Sequence, residues 1–355
     1  MKEESIYEYI GGAMTPFTTI FGKSPRVFLN RNQEFENLLK NLDNPYSDAQ
    51  STIVTGVRGS GKTTFITKLE KELPEHWIPI TLINTPAIVS NLIAELSNTV
   101  SREITMSNSI QVKNFSVLGL TIENIQSQNT TNQQQLIDLL TICQNANRKV
   151  VILIDEISSS TGIRELYSLF QLLIRKDLPI SIISTGLPED INEVITDKIL
   201  TFLLRSNMIV LSPLTIDDIE KAYLEHLSLD HSAAGYAAKK TKGYAYAFQL
   251  LGQLMYEKEC ATIDDIEDVI PDFRYLLGKN AYRLIQQRLS DNDEIFLRAI
   301  QSKTKIADII KQTKWDKNLV NTYKYRLIDK GLIFQPQRGY VDLVLPEFDS
   351  YLENY

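Results

Sequence analysis

The chain has 355 residues, too many for one small core, and length alone points to two or three domains. Hydrophobic residues make up 43% and charged residues 23%, ordinary globular usage that excludes wholesale disorder and collagen-like chains. Net charge is −7, from 37 basic and 44 acidic side chains, which disfavours a protein that coats nucleic acid with its whole surface.

Residues 1 to about 24 contain Gly, Thr and Pro16 and read as an irregular lead-in. The opening MKEESIYEYIGG is acidic with no apolar h-region, which argues against a secretory signal and for a cytoplasmic location. Residues 31–42 place Phe35, Leu38, Leu39 and Leu42 at the spacing of one helix face. A turn cluster, NPYSD, separates them from STIVTG, a short β-branched run suited to a buried strand. TTFITKLEKEL then predicts a helix with Phe65, Ile66 and Leu69 on one face, WIPITLIN a strand, and IVSNLIAELSNTV another helix. Residues 106–135 interrupt this alternation as an insertion. There VKNFSVLGLTIE has period-2 apolar positions in part, which predicts a hairpin, and QSQNTTNQQQ is a polar connector. The alternation resumes with helix QLIDLLTICQNA, strand KVVILIDEI, helix IRELYSLFQLLIRK and strand ISIISTGLP. Short aliphatic strands between helices imply a parallel sheet covered on both faces.

The longest aliphatic run, Val150 to Ile154, is far short of the ~20 residues a bilayer crossing needs, so no membrane partner is expected. Cys143 and Cys260 make no metal or redox spacing, and His76, His226 and His231 make no metal constellation.

From Leu214 the pattern is helical to about Gln287, with Thr215/Asp218 and Thr262/Asp265 as capping starts. The tail reads three helices (DEIFLRAIQ, KIADIIKQT, NLVNTYKYRLIDKG) and two strands (LIFQPQ, YVDLVLP). Gly331 is placed to close the third helix, and Gly339 lies between the strands. The expected division is 1–213, an α/β core with its insertion; 214–289, an all-helical lid; and 290–355, a small module of helices and a hairpin.

Gly56-Val57-Arg58-Gly59-Ser60-Gly61-Lys62-Thr63 matches G-x-x-x-x-G-K-[ST], with strand STIVT before it and helix TTFITKLEKEL after it, and these residues with Thr64 are the expected nucleotide contacts. Successive backbone N–H groups of such a loop wrap a polyphosphate, and the helix points its positive dipole end at it. Lys62 is expected to reach the β- and γ-phosphates and Thr63 to place its hydroxyl on Mg²⁺. Downstream, the apolar strand Val150–Ile154 ends in Asp155 and Glu156. Acids are tolerated at the carboxyl end of a buried strand, where the sheet opens and ligands bind. Asp155 is the expected Mg²⁺ partner, and Glu156 the group that orients and deprotonates an attacking water. Without the loop upstream, two acids merely ending a strand would be the default reading.

With these motifs the chain resembles the AAA+ ATPases, specifically their initiator-like branch of archaeal origin-binding and Cdc6-like proteins. The resemblance spans about Phe28 to Leu345 and implies a P-loop NTPase parallel sheet, a lid and ATP hydrolysis. FLNRNQEFENLL resembles the family's adenine-side box, which implies base-side roles for Asn30 and Arg31; Asn30 stands where Gly is usual, a mild change because Asn tolerates positive φ. ATP or ADP, rather than a guanine nucleotide, is implied by this resemblance alone. ISIISTGLP resembles the sensor-1 strand and implies that role for Thr185, where Asn is common. FLLRSNMIVLSPLT resembles the Arg-containing segment before the lid, with Arg205 as the finger; a surface arginine is the plain alternative. KGYAYAFQLLG resembles the lid motif, yet Gly243-Tyr244-Ala245-Tyr246-Ala247 lacks the usual Arg. That departure favours slow hydrolysis, and a switch over a motor.

Between Arg298 and Arg338 there are ten basic and three acidic residues, so charge concentrates near one end. Three helices and a basic hairpin resemble a winged helix, whose third helix, Lys317 to Lys330, would enter a DNA major groove with the wing beside the backbone. Lys317, Lys324, Arg326 and Arg338 are the expected contacts to double-stranded DNA, with Leu319, Val320, Tyr323, Leu327 and Ile328 on the inward face. Winged helices also bind proteins, and Lys-rich helix faces are often just solvated. Two readings therefore stand: an ATP-dependent switch coupled to DNA, or a signalling or defence ATPase whose winged helix binds a protein partner or drives self-association.

Overall fold

The computed structural model describes residues 15–20, 25–29, 32–44, 46–106, 131–301 and 303–354. The chain divides into two compact units, one of residues 31–212 and 325–332, the other of residues 1–30, 213–324 and 333–355.

The first unit is built on a sheet. Helix α1 (Asn32–Leu42) precedes β1 (Ser51–Thr55), α2 (Lys62–Glu72), β2 (Trp77–Leu82) and α3 (Ile88–Met106). Then come α4 (Asn132–Asn145), β3 (Lys149–Ile154), α5 (Thr161–Ile174), β4 (Ile180–Gly186), α6 (Pro188–Ile195) and β5 (Asn207–Val210). The five strands are all parallel in the order β2-β3-β4-β1-β5. Strand side chains alternate in direction, so one sheet supports two cores. Val54, Val151, Leu153 and Ile183 pack with Phe35, Leu38, Phe65 and Leu69 of α1 and α2. Ile53, Ile152, Ile154 and Ile182 pack with Leu92, Leu96, Leu139, Leu166 and Phe170 of α3, α4 and α5. Burial on both faces is why these strands read as continuous aliphatic runs.

The sequence reading differs from this unit in particular places. The partial hairpin expected over 112–123 lies outside the described residues. Helix α4 opens at Asn132, its N-cap Thr131 accepting from Gln134 N, ahead of the expected start at Gln135. Strand β5 has no counterpart in the sequence reading; as an edge strand it buries only Ile209, leaving Met208 and Val210 exposed, so it carries no buried-strand signature.

The second unit holds α7 (Ile216–His226), α8 (His231–Lys240), α9 (Ala245–Glu257) and α10 (Ile263–Leu277). Thr215 caps α7, and Thr262 with Asp265 forms a reciprocal capping box on α10, as the Thr-x-x-Asp pattern predicts. A π-turn (Gly278–Tyr282) and α11 (Arg283–Gln286) lead to α12 (Asp291–Arg298), β6 (Thr304–Lys305), α13 (Ile306–Thr313) and α14 (Lys317–Asp329). β7 (Ile333–Phe334), β8 (Tyr340–Leu343) and α15 (Phe348–Asn354) complete the chain. β8 pairs antiparallel with β7 and with β6, so the hairpin carries a third short strand. Gly331 takes φ +71 and closes α14, Gly331 N donating to Ile328 O and Leu332 N to Leu327 O. Among the described residues no helix is long and apolar enough to cross a membrane.

Candidate active site

The strand order puts three carboxyl ends side by side, because β4 lies between β3 and β1. In register, Ile154 faces Ser184, and Val54 faces Thr185. The loop after β1, the acids after β3 and the polar end of β4 therefore meet at one edge of the sheet.

The loop over 56–63 is tightly wound. Gly59 has φ +77 and Gly61 φ +95, values that side-chain-bearing residues rarely adopt, and Gly61 is the N-cap of α2. Ser60 N donates to Val57 O at 3.1 Å, and Phe65 N to Gly61 O at 2.9 Å. Lys62 is 7% exposed, yet its ammonium is not in an apolar interior. Nζ donates to Gly56 O at 2.8 Å and to Val57 O at 3.0 Å, so the side chain folds back along the loop. Burial pushes the Lys62 ammonium down to about 8; nearby Asp155, Glu156 and Glu189 oppose the push, and Arg58 adds to it.

Thr63, Asp155, Thr185 and Glu156 form one connected line. Thr63 Oγ1 donates to Asp155 Oδ2 at 2.7 Å, while Thr185 Oγ1 donates to Asp155 Oδ1. The Thr185 hydroxyl also accepts from Glu156 N at 3.1 Å, and Ile157 N donates to Thr185 O at 2.7 Å. Glu156 is exposed and sits at φ +57, an uncommon conformation for a residue with a Cβ. A hydroxyl and a carboxylate held this close on two elements are the hard oxygen donors Mg²⁺ takes, its other positions going to water and phosphate. These residues fit that ion. Among the described residues no group of three or more His, Cys, Asp or Glu side chains does.

Two residues here escape sequence reasoning. The strand expected over WIPITLIN ends at Asn84, but β2 ends at Leu82. Asn84 Nδ2 donates to Ser158 O at 3.3 Å and Ser158 Oγ at 3.1 Å, and its Oδ1 accepts from Ser160 Oγ at 2.9 Å. Asn84 thus fixes the loop that follows Glu156. Glu189, in the first turn of α6, adds to the acidic field on Lys62. The available signal is a carboxylate directly after the sensor-like strand.

Asn30 and Arg31 lie outside the described residues. Arg205 ends the 3₁₀ turn Thr201–Arg205 ahead of β5, exposed and without an ion pair among the described residues. In the carboxyl-terminal module Lys317, Arg326 and Arg338 are exposed. Lys324 is not: expected in the exposed set, it is 8% exposed. It falls four residues after Val320 and three before Leu327, both fully buried, which places it on the inward stripe of α14. Lys303 and Lys305, counted in the basic stretch but not named as contacts, have Nζ atoms 5.5 and 5.9 Å from the ring centre of Tyr340, two residues after Arg338.

Residues 43–195 match the family model described as an AAA domain, and residues 279–352 match one described as a domain of unknown function, DUF8462. No curated protein matches the chain by sequence. Among solved structures, a Walker-type ATPase of Pyrococcus abyssi is similar at TM-score 0.61 and 18% identity, over 92% of this chain and 96% of that one. The ORC2 protein of Aeropyrum pernix, solved as ADPNP–ADP complexes, is similar at TM-score 0.55 and 13% identity, over 94% and 96%. At such identities the likeness is one of fold.

Proposed function

We infer that this chain, which carries an AAA domain over residues 43–195 and has the fold of the initiator-like structures it resembles, is an AAA+ P-loop ATPase: an ATP-dependent switch that hydrolyses its nucleotide slowly and couples it to double-stranded DNA. The observation that carries this reading is the connected line from Thr63 through Asp155 and Thr185 to Glu156, beside Lys62 on the loop. Lys62 would exchange two carbonyl acceptors for phosphate oxygens, and Thr63 with Asp155 would hold Mg²⁺. When bound, that ion offsets charge on the β- and γ-oxygens. Glu156 takes a proton from the water that attacks the γ-phosphorus as the bond to the bridging oxygen breaks, and Thr185 holds Asp155 and the Glu156 backbone in place. Nucleotide bound in ADP and ADPNP form to the similar ORC2 protein supports the ligand class. The test is paired: Lys62→Ala abolishes nucleotide binding, while Glu156→Gln keeps binding and stops turnover. Unchanged affinity in the Lys62 variant would remove the site assignment.

For the partner, we propose a three-part division: a core to about residue 213, a lid to 289, and a winged helix from 290. The module's helix–strand–helix–helix–hairpin order and its exposed Lys317, Arg326 and Arg338 support duplex DNA. A second reading, a winged helix that binds protein, is favoured by two exposed rings, Tyr325 at 58% and Phe334 at 45%, and by the inward position of Lys324. Salt separates the two: affinity for DNA through several phosphates falls steeply with ionic strength, and a flat response removes the DNA reading.

A further inference from the structure

Strand alternation sorts the side chains of the β6-β8-β7 sheet onto two faces. Val341 and Leu343 are buried on the inner face. Thr304 stands opposite Val341 and Lys305 opposite Tyr340, so Lys305 and Tyr340 share the outer face. Lys303, just ahead of β6, reaches the same ring: its Nζ lies 5.5 Å from the Tyr340 ring centre, and that of Lys305 5.9 Å. Both ammonium groups therefore sit within a Debye length, ~10 Å at 0.1 M salt, of one point. Arg338 is brought to the same end of the sheet, because Tyr340 N donates to Gln337 O at 3.1 Å and Ile306 N to Gly339 O at 2.9 Å. Lys303, Lys305 and Arg338 are exposed, and none has an ion pair among the described residues. Asp342, the next outward residue of β8, is already engaged, accepting from Lys242 Nζ at 3.5 Å and from Leu343 N at 2.7 Å. Asp308, in the first turn of α13, is exposed and pairs with neither lysine among the described residues.

Like charges gathered on one ring, with no carboxylate to answer them, complement a chain of phosphates. We propose that Lys303, Lys305 and Arg338 form a phosphate-binding site for the backbone of duplex DNA, with Tyr340 as the positioning residue that gathers the two ammonium groups. This rests on the DNA reading above and adds the β6-β8 edge to its contacts, while Lys324 of α14 faces inward. A duplex carries one negative charge per ~1.7 Å of axis, dense enough to meet three cations of one sheet edge at once. The Tyr340 ring is half-buried and already faced by the two lysines, so it offers no platform for an unpaired base, which favours a duplex over a single strand. The ring's contribution is pre-ordering: its negative face attracts both cations before the ligand arrives, so less side-chain freedom is lost on binding.

The test is a salt titration of the full chain binding a duplex of roughly 20 base pairs, beside a single strand of the same length. Lys303→Gln with Lys305→Gln keeps most of each stem and removes both charges. Affinity for the duplex should fall about tenfold at about 0.1 M salt, and the slope of log affinity on log salt should shrink by about two. The melting temperature should hold, since both side chains are exposed. Tyr340→Leu lowers affinity about threefold with the slope unchanged, because both charges remain, and Tyr340→Phe, which keeps the ring, stays within about twofold of wild type. A double lysine variant that keeps the wild-type slope, in a protein whose slope Lys317→Ala does reduce, overturns the proposal and leaves the DNA reading standing. A loss in Tyr340→Leu that Tyr340→Phe does not rescue overturns the positioning role, and tighter binding of the single strand than of the duplex overturns the choice of ligand. Should Tyr340→Leu fail to fold, the lysine pair decides alone. Wild-type protein with no salt-dependent affinity for the duplex would overturn the DNA reading, and this proposal with it.

Discussion

Raising the pH from about 7 to about 9.5 should weaken nucleotide binding about thirty-fold, through Lys62 alone. Burial holds this ammonium near 8, against 10.5 for a free lysine, so in the absence of nucleotide most of its charge is gone by pH 9.5. A polyphosphate needs the charged form, and once seated it pulls the pKa back up. Binding above pH 8 therefore takes up a proton, and affinity falls by up to about tenfold per pH unit until the pKa of the complex is reached. The same shift bears on stability with the opposite outcome. A lysine whose folded pKa is depressed releases its proton on folding between about 8 and 10.5, so the folded state gains stability as pH rises through that window. The gain amounts to about 3 kcal/mol at most. Lys62→Met is consequently expected to abolish nucleotide binding while leaving the protein at neutral pH as stable as wild type or more so. Calorimetry in two buffers of different ionisation enthalpy counts the proton, and thermal melts of Lys62→Met across pH test the stability side. Affinity that stays level from pH 7 to 9.5, with no proton taken up, would refute the argument that this lysine is held in its buried, depressed state before the phosphates arrive.

Further outcomes follow from the same geometry. Glu156→Gln should keep nucleotide binding within a few-fold and reduce turnover by about a hundredfold or more, read by phosphate release beside a binding isotherm. Thr185→Val deletes a donor to Asp155 and the acceptor for Glu156 N together; a loss of about 2–3 kcal/mol in unfolding free energy is expected, with turnover falling more than affinity. Gly61→Ala forces a side chain into φ +95 at the N-cap of α2 and should cost about 1–2 kcal/mol and disable the loop. In the DNA reading, changing Lys317, Arg326 and Arg338 to Ala lowers the salt slope of binding by about one for each phosphate no longer neutralised, whereas Lys324→Met leaves the slope unchanged because that residue faces inward.

The parts of the site that are legible in the sequence are those where one backbone geometry demands one residue type. Gly59 and Gly61 are needed for their positive φ, Lys62 and Thr63 follow them on the first turn of α2, and Asp155 and Glu156 are acids where a buried strand must end. Strands β1, β3 and β4 are legible because burial on both faces writes an unbroken aliphatic run. What sequence patterns do not reveal is what long-range packing decides. β5 buries one residue in four and looks like loop. Phe17, in a stretch of Gly, Thr and Pro, gives no periodic signal, since its partners Tyr223, Phe248 and Gly252 lie more than 200 positions away. Asn84 acts through a turn 74 to 76 positions on. Lys324 is misplaced for a local reason: a lysine on an amphipathic helix is read by its charge, although its spacing from Val320 and Leu327 already puts it on the buried stripe.

How the line of hydroxyls and acids would respond to a ligand follows from what each group already holds. Lys62 holds two neutral carbonyls, and a charged phosphate oxygen outcompetes them, because charge-assisted hydrogen bonds are about twice as strong as neutral ones. Thr63 holds Asp155 Oδ2, and a divalent cation placed between them would replace that hydrogen bond with two oxygen ligands. Thr185 is on the other oxygen, Oδ1, and need not move. It is therefore the fixed point of the line: beside the peptide bond that joins Asp155 to Glu156, the Thr185 hydroxyl ties the Asp155 carboxylate to the Glu156 backbone. Thr185→Ser keeps that hydroxyl and should retain turnover to within a few-fold, where Thr185→Val does not. If the two variants lose turnover equally, with nucleotide affinity intact in both, the hydroxyl is not what orients the metal side against the base, and the packing of the β4 side chain is.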